Sequence, residues 1–186
     1  MSWHNRGLGR AFRALGVLAL AATLAGCFQP LYGDRSLDGS PTLRDSLSAV
    51  EILEIAAPKA TDEARLAVEI RNALIFDFTG GGSQTPPTHR LKIAISSTRS
   101  AIIVDINTSR PDVENYGINA TYSLTEIATG KVVVTGQTFA RVSYDIPGQQ
   151  QRFARLRGLR DAENRAAKVV ADNVRSRLAS YFVAGT

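Results

Sequence analysis

The chain of 186 residues contains one cysteine, one methionine, one tryptophan and two histidines. A single thiol excludes an internal disulfide, so in an oxidising compartment only the core can hold the domain together. His4 stands at the very start, which leaves His89 as the one histidine of the body. A histidine-based metal cluster is therefore excluded, and a Ser–His–Asp arrangement would have to use His89, which has no glycine-flanked nucleophile nearby. We read His89 as a solvated side chain at a loop end. Lysine is scarce too, four against 18 arginines, and no basic run with interleaved aromatics points to nucleic acid. Gly80-Gly81-Gly82-Ser83 has no lysine behind it and is no phosphate loop. No catalytic constellation, cofactor motif or metal site is found, and a binding or assembly protein is expected rather than an enzyme.

The first thirty residues are the most informative. Arg6, Arg10 and Arg13 precede the apolar run Ala14–Ala25, and Leu24-Ala25-Gly26-Cys27 closes the segment on the only cysteine. That is the order of a bacterial secretion leader ending in a lipid-attachment site. The run is too short to span a bilayer, which takes about 20 residues. Residues 1–26 are thus expected to be removed, and Cys27 to carry the acyl chains that anchor the chain in membrane lipid. Phe28 follows Cys27 where an aspartate would signal inner-membrane retention, so an outer-membrane, periplasm-facing location is expected. All 17 acidic residues lie beyond Cys27 while three of the 22 basic ones lie before it, so the formal +5 of the chain overstates the charge of the body.

Residues 27–46 read as a lipidated tether and 47–186 as a single domain, about the right size for one sound core. Ala49–Ile55 reads as a short strand. Thr61, Asp62 and Glu63 form a good helix start, since a hydroxyl cap and first-turn acids suit exposed N–H groups. Leu66, Ile70, Ala73, Leu74 and Phe78 then recur at three- and four-residue steps up to the glycines at 80–82. Leu91, Ile93 and Ile95 alternate with polar or small residues, and a second apolar patch follows at 101–106. A polar loop is expected over Asp105–Asp112. Tyr116 to Leu124 alternates cleanly, and Thr129-Gly130-Lys131 turns the chain back through a strand from Val132 to Tyr144. The last segment is a long helix whose line Leu159, Ala162, Ala166, Val170, Val174, Leu178, Phe182 is apolar, with Arg160, Glu163, Lys168, Asp172 and Arg175 mainly off it. Strand, helix, three strands, helix predicts an α/β two-layer sandwich: two helices on one face of a mixed, mostly antiparallel four-stranded sheet. The other face is polar, rich in Thr, Ser and Asn.

Three arginines are candidates for a forked contact to phosphate or carboxylate: Arg110 in the polar loop, and Arg99 and Arg141 within or beside strands. Phe139 is out of phase with its neighbours and is read as a partner-facing ring. The other rings, Tyr116, Tyr122 and Tyr144, are read as core or cross-strand pairs.

The run Leu24-Ala25-Gly26-Cys27-Phe28-Gln29-Pro30-Leu31-Tyr32 resembles the mature start of the alphaproteobacterial LPS-assembly lipoprotein family, LptE. The helix ending near Phe78, the middle sheet with Tyr122-Ser123-Leu124 and the alanine-rich last helix are similar to that family as well. The resemblance implies a non-enzymatic protein without cofactor that sits as a plug in the outer-membrane β-barrel LptD. The pair inserts lipopolysaccharide into the outer leaflet, and basic residues of the plug would meet lipopolysaccharide phosphates. Other readings are an outer-membrane lipoprotein adaptor of another envelope machine, or a periplasmic lipid carrier, which would need an apolar cavity between helices and sheet.

Overall fold

The structure, a computed structural model, describes residues 41–58, 60–82, 85–105, 110–146 and 152–184. Cys27 and most of the expected tether lie outside the described residues. Among these residues three helices and four strands follow in the order α1 (Leu43–Ser48), β1 (Val50–Ile52), α2 (Asp62–Thr79), β2 (His89–Asp105), β3 (Arg110–Glu126), β4 (Val132–Asp145) and α3 (Arg152–Ala184). The sheet order is β1-β2-β3-β4; β1 pairs parallel to β2 and the remaining pairs are antiparallel. The expected two-layer sandwich is thus present, with one helix more than expected.

The additional helix crosses the boundary between the stretch read as tether, 27–46, and the domain behind it. Its single turn and a half is closed by a capping box: the Asp45 N–H donates to Thr42 Oγ1 at 3.2 Å, and the Thr42 N–H donates back to Asp45 Oδ2 at 3.2 Å. Leu43 and Leu47, four apart on one face, are buried. Six residues are too few for a periodic pattern to emerge, although Thr42-x-x-Asp45 was its signature. Strand β1 is shorter than the expected Ala49–Ile55, because only Val50, Glu51 and Ile52 find partners on His89, Arg90 and Leu91.

Helix α2 begins and ends as its sequence predicts. The Ala64 N–H donates to Thr61 Oγ1 at 3.2 Å, and Gly80 closes the helix at φ 62°, its N–H donating to Phe76 O at 2.7 Å. Leu66, Ile70, Leu74 and Phe78 bury one stripe. The apolar stretch expected at 91–95 and the described part of the one expected at 101–106 belong to one strand, β2, which carries a bulge between Ala101 and Ile103. The loop expected over Asp105–Asp112 is shorter, since Asp105 already pairs with Arg110.

Helix α3 starts at Arg152, earlier than its apolar line suggests. Its 33 residues make a rod of about 50 Å. Ala162, Ala166, Ala167, Ala171 and Ala179 are fully buried and let the rod lie close against β3, β4 and α2. Glu163 departs from the expected pattern: it is 1% exposed, on the inner face among these alanines.

On the helix side of the sheet, Tyr122 lies across Gly136, its register partner on β4. A Cβ at Gly136 would come within 2.5 Å of Tyr122 Oη and 2.6 Å of Cζ. Gly136→Ala is therefore expected to destabilise by about 1–3 kcal/mol through overpacking. The double variant Gly136→Ala/Tyr122→Leu should recover part of that loss. Urea unfolding of the two variants checks the contact, and an unperturbed Gly136→Ala would remove it from the account.

Candidate functional site

Pleat alternation sorts the sheet into two unlike faces. Leu91, Ile93, Tyr116, Ile118, Ala120, Tyr122, Leu124, Val134 and Ala140 face the helices and are buried. The opposite face has no covering element among the described residues. Its rows run by register from Lys92–Ser123–Thr135 through Ala94–Thr121–Gln137 and Ser96–Asn119–Phe139 to Thr98–Gly117–Arg141 and Ser100–Asn115–Ser143. Hydroxyls and amides dominate, and Ser143 Oγ donates to Asn115 Oδ1 at 2.8 Å. Phe139 stands 70% exposed in the middle row. At one end Arg90 is held by Glu51 at 2.9 Å; at the other Arg141 is exposed. The out-of-phase ring noted in the sequence is the apolar centre of a polar plate.

The three candidate arginines separate. Arg141 lies on the open face. Arg99 shares parity with Leu91, Ile93, Ile95 and Ser97, so it turns to the helix side, where Asp62 Oδ2 accepts from its guanidinium at 2.5 Å. Its Cζ also lies 5.9 Å from the Tyr116 ring centroid. Arg110 opens β3 opposite Asp105, and its side chain lies outside the described residues. Arg99 and Arg141 thus lie on opposite faces of the sheet.

Arg99 belongs instead to a polar cluster between the start of α2, the sheet and α3. Ser97 Oγ donates to Glu63 Oε1 at 2.5 Å. This bond, more than the neighbouring Arg99, holds the Glu63 carboxyl below its ordinary range. Arg65 on α2 donates to Glu163 Oε2 and, at 3.4 Å, to Asn164 Oδ1. Burial pushes the Glu163 carboxyl above its ordinary range, and the opposing pull of Arg65 does not cancel that push. Glu163 Oε1 and Tyr116 Oη are buried without a hydrogen-bond partner among the described residues. Burial likewise raises the Tyr116 phenol. The sequence reading missed Glu163 as an inward group and Arg65 as its counter-ion.

His89 is not at a free loop end. It opens β2, half-buried, with its ring edge-on to Phe182 at 5.2 Å and to Tyr181 at 6.5 Å. Thr88 Oγ1 lies 2.8 Å from Nδ1. Burial lowers its pKa, so the imidazole is favoured in its neutral form. The ring joins the start of β2 to the end of α3. Core side chains of both layers meet between helices and sheet, and a groove on the outside between α2 and α3 is lined by Glu69, Phe76, Asp77, Arg165 and Lys168. Among the described residues no group of three His, Cys, Asp or Glu is placed to hold a metal ion, and no helix is long and apolar enough to cross a membrane.

No protein-family model and no curated protein matches the chain. Solved structures do. A Caulobacter crescentus chain provisionally named a lipoprotein superposes with a TM-score of 0.61 at 18% identity, over 78% of this chain and 98% of that one. Rare lipoprotein B of Shewanella oneidensis superposes with a TM-score of 0.51 at 13% identity, over 72% of this chain and 96% of that one. At such identities the likeness is one of fold: this chain has an architecture also found in bacterial lipoproteins.

Proposed function

We propose that this chain is a lipid-anchored, non-enzymatic lipoprotein of the outer membrane, acylated on Cys27, that seats in the LptD barrel and assists lipopolysaccharide insertion. The observation that carries the reading is the union of two independent features. A lipoprotein leader ends at Cys27-Phe28-Gln29-Pro30-Leu31-Tyr32, and the body behind it has a fold used by other bacterial lipoproteins. The open sheet face suits a barrel lumen, because a wall of hydroxyls and amides keeps its hydrogen bonds with trapped water. A lipid carrier is less suited: a carrier needs an apolar cavity between its layers, and buried alanines close the gap beneath α3.

Arg141 is the arginine we assign to lipopolysaccharide phosphate, since it is exposed on the open face. Arg99 would have to leave Asp62 and the Tyr116 ring to reach a phosphate. Affinity purification of the full chain in mild detergent tests the reading. The expected result is a stoichiometric barrel protein, retaining less lipopolysaccharide when Arg141 is replaced by glutamate. Recovery of the chain alone would return the carrier reading.

A further inference from the structure

Among the described residues, one edge of the sheet has no strand beside it, and α3 reaches it only towards its end. Ile146 N–H donates to Asp112 O, while Arg165 reaches Ser143 O from α3 at 3.4 Å. Even-numbered residues of β4 therefore bond β3, and odd-numbered ones turn their N–H and C=O groups outward. Thr135, Gln137, Phe139 and Arg141 offer a ladder of donors and acceptors with no neighbouring strand among the described residues. The usual protections of an edge, proline, lysine or a bulge, are missing from Val132–Asp145 beyond its first residues. At the other side of the sheet, β2 beyond Leu91 is interrupted by its bulge and carries Lys92.

The β4 edge is also flanked by apolar groups above and below. Arg165, Val169 and Asn173 form one row on α3. Arg165 touches Ser143 O and Asn173 Nδ2 donates to Thr138 Oγ1 at 2.9 Å, which fixes the row over the edge. Val169 between them is 42% exposed. On the opposite face of the strand is the exposed Phe139.

We propose that this edge is a self-pairing surface: two copies join antiparallel through β4 about a two-fold axis at Phe139, making one continuous sheet. An isologous contact requires a patch that complements itself, and this one does. Centred on Phe139, the register sets the two Phe139 rings side by side. It also sets Gln137 against Arg141 of the partner subunit, Thr135 against Ser143 of the partner subunit, and Val133 against Asp145 of the partner subunit. No like charges face each other on the strand. The pairing does not depend on the barrel reading; a dimer would be the form of the protein outside a barrel.

Cysteine cross-linking of the full chain in detergent tests it. A hydrogen-bonded antiparallel pair sets its Cα atoms about 5.5 Å apart, inside the roughly 4.4–6.8 Å that a disulfide bridges. Phe139→Cys is expected to give a disulfide dimer under mild oxidation. Ser96→Cys, in the same row but on β2, and the unsubstituted chain are expected not to. Gln137→Cys alone should stay single, while Gln137→Cys/Arg141→Cys should cross-link. Light scattering should show dimers of the unsubstituted chain that dissociate about tenfold more readily with Phe139→Arg. A Phe139→Cys chain that cross-links no faster than Ser96→Cys, or is captured by a different protein instead, overturns the proposal. So does an unsubstituted chain that stays monomeric up to its solubility limit. Neither result bears on the anchor or on the barrel partner.

Discussion

Replacing Arg65 with alanine is expected to lower the stability of the domain by about 3 kcal/mol at neutral pH, near the lower end of what breaking a buried ion pair costs. The Arg65 side chain is 30% exposed and readily hydrated, but the Glu163 side chain is only 2% exposed and cannot follow it into water. One carboxylate oxygen of Glu163 already has no partner, and the variant would strand the other. Most of the loss is thus the cost of an uncompensated charge among buried alanines. Arg65→Ala/Glu163→Leu should regain the greater part of it, because an apolar side chain of similar length asks for no counter-ion.

The pH dependence separates this account from simple loss of packing. Burial raises the folded-state pKa of Glu163 above its unfolded value near 4.5. The native state therefore holds a proton that the unfolded state has released, and this group weakens the fold as pH rises through that window. Removing Arg65 removes the attraction that opposes the shift, so the Arg65→Ala loss should shrink as pH falls toward 4.5. Glu63 does not interfere above that value, since its pKa is lowered and it is ionised in both states. His89 carries the opposite slope, with stability gained as pH rises toward 6.5, but it lies at the other end of the sheet and cancels when variants are compared. Chemical denaturation between pH 4.5 and 8 checks the difference. A loss that is equal across the range would assign the effect to packing and not to charge.

How far the sequence carries the fold is visible in single residues. Strands β3 and β4 were legible because one face is buried and the other wet, so Tyr116–Leu124 alternates without interruption. Helix α2 was legible because it has both a cap at Thr61 and a left-handed stop at Gly80. Strand β2 was split by its own middle, Ser96 to Ser100, where no apolar alternation survives and only pairing with β3 keeps the strand whole. The orientation of Arg99 was legible in principle. It shares parity with Leu91, Ile93 and Ile95, and a strand running through Ser97 would have turned it toward the helices. Glu163 was hidden by its identity: an acid one residue after Ala162 reads as surface, and only the counter-ion delivered by α2, from nearly a hundred residues earlier, lets it lie inside. The open face was foreseen as polar, and Phe139 stood out by its phase. That β4 would be an uncovered edge depends on strand order, which periodicity does not contain.

The largest expected effect on behaviour belongs to Cys27. Each buried methylene of an acyl chain contributes roughly 0.8 kcal/mol to membrane binding, so two or three chains hold a protein durably where one holds it only reversibly. No described helix offers a substitute anchor. Cys27→Ala, with the leader exchanged for one that is cleaved without lipidation, should therefore move the chain from the membrane fraction almost entirely into the soluble one. The domain should stay folded, because the core of the described residues runs from Leu43 to Ala179 without Cys27. Fractionation with circular dichroism of the released protein reads both outcomes together. A variant that remained with the membrane would show that the body itself, through Phe139 and the open face or through the α3 start with its exposed Phe153 and Leu156, holds the bilayer or a membrane partner. The lipid would then add to that attachment without creating it. Release of a folded domain would show the reverse: that residence at the membrane is a property of one thiol, and that the sheet faces are free to be spent on recognition.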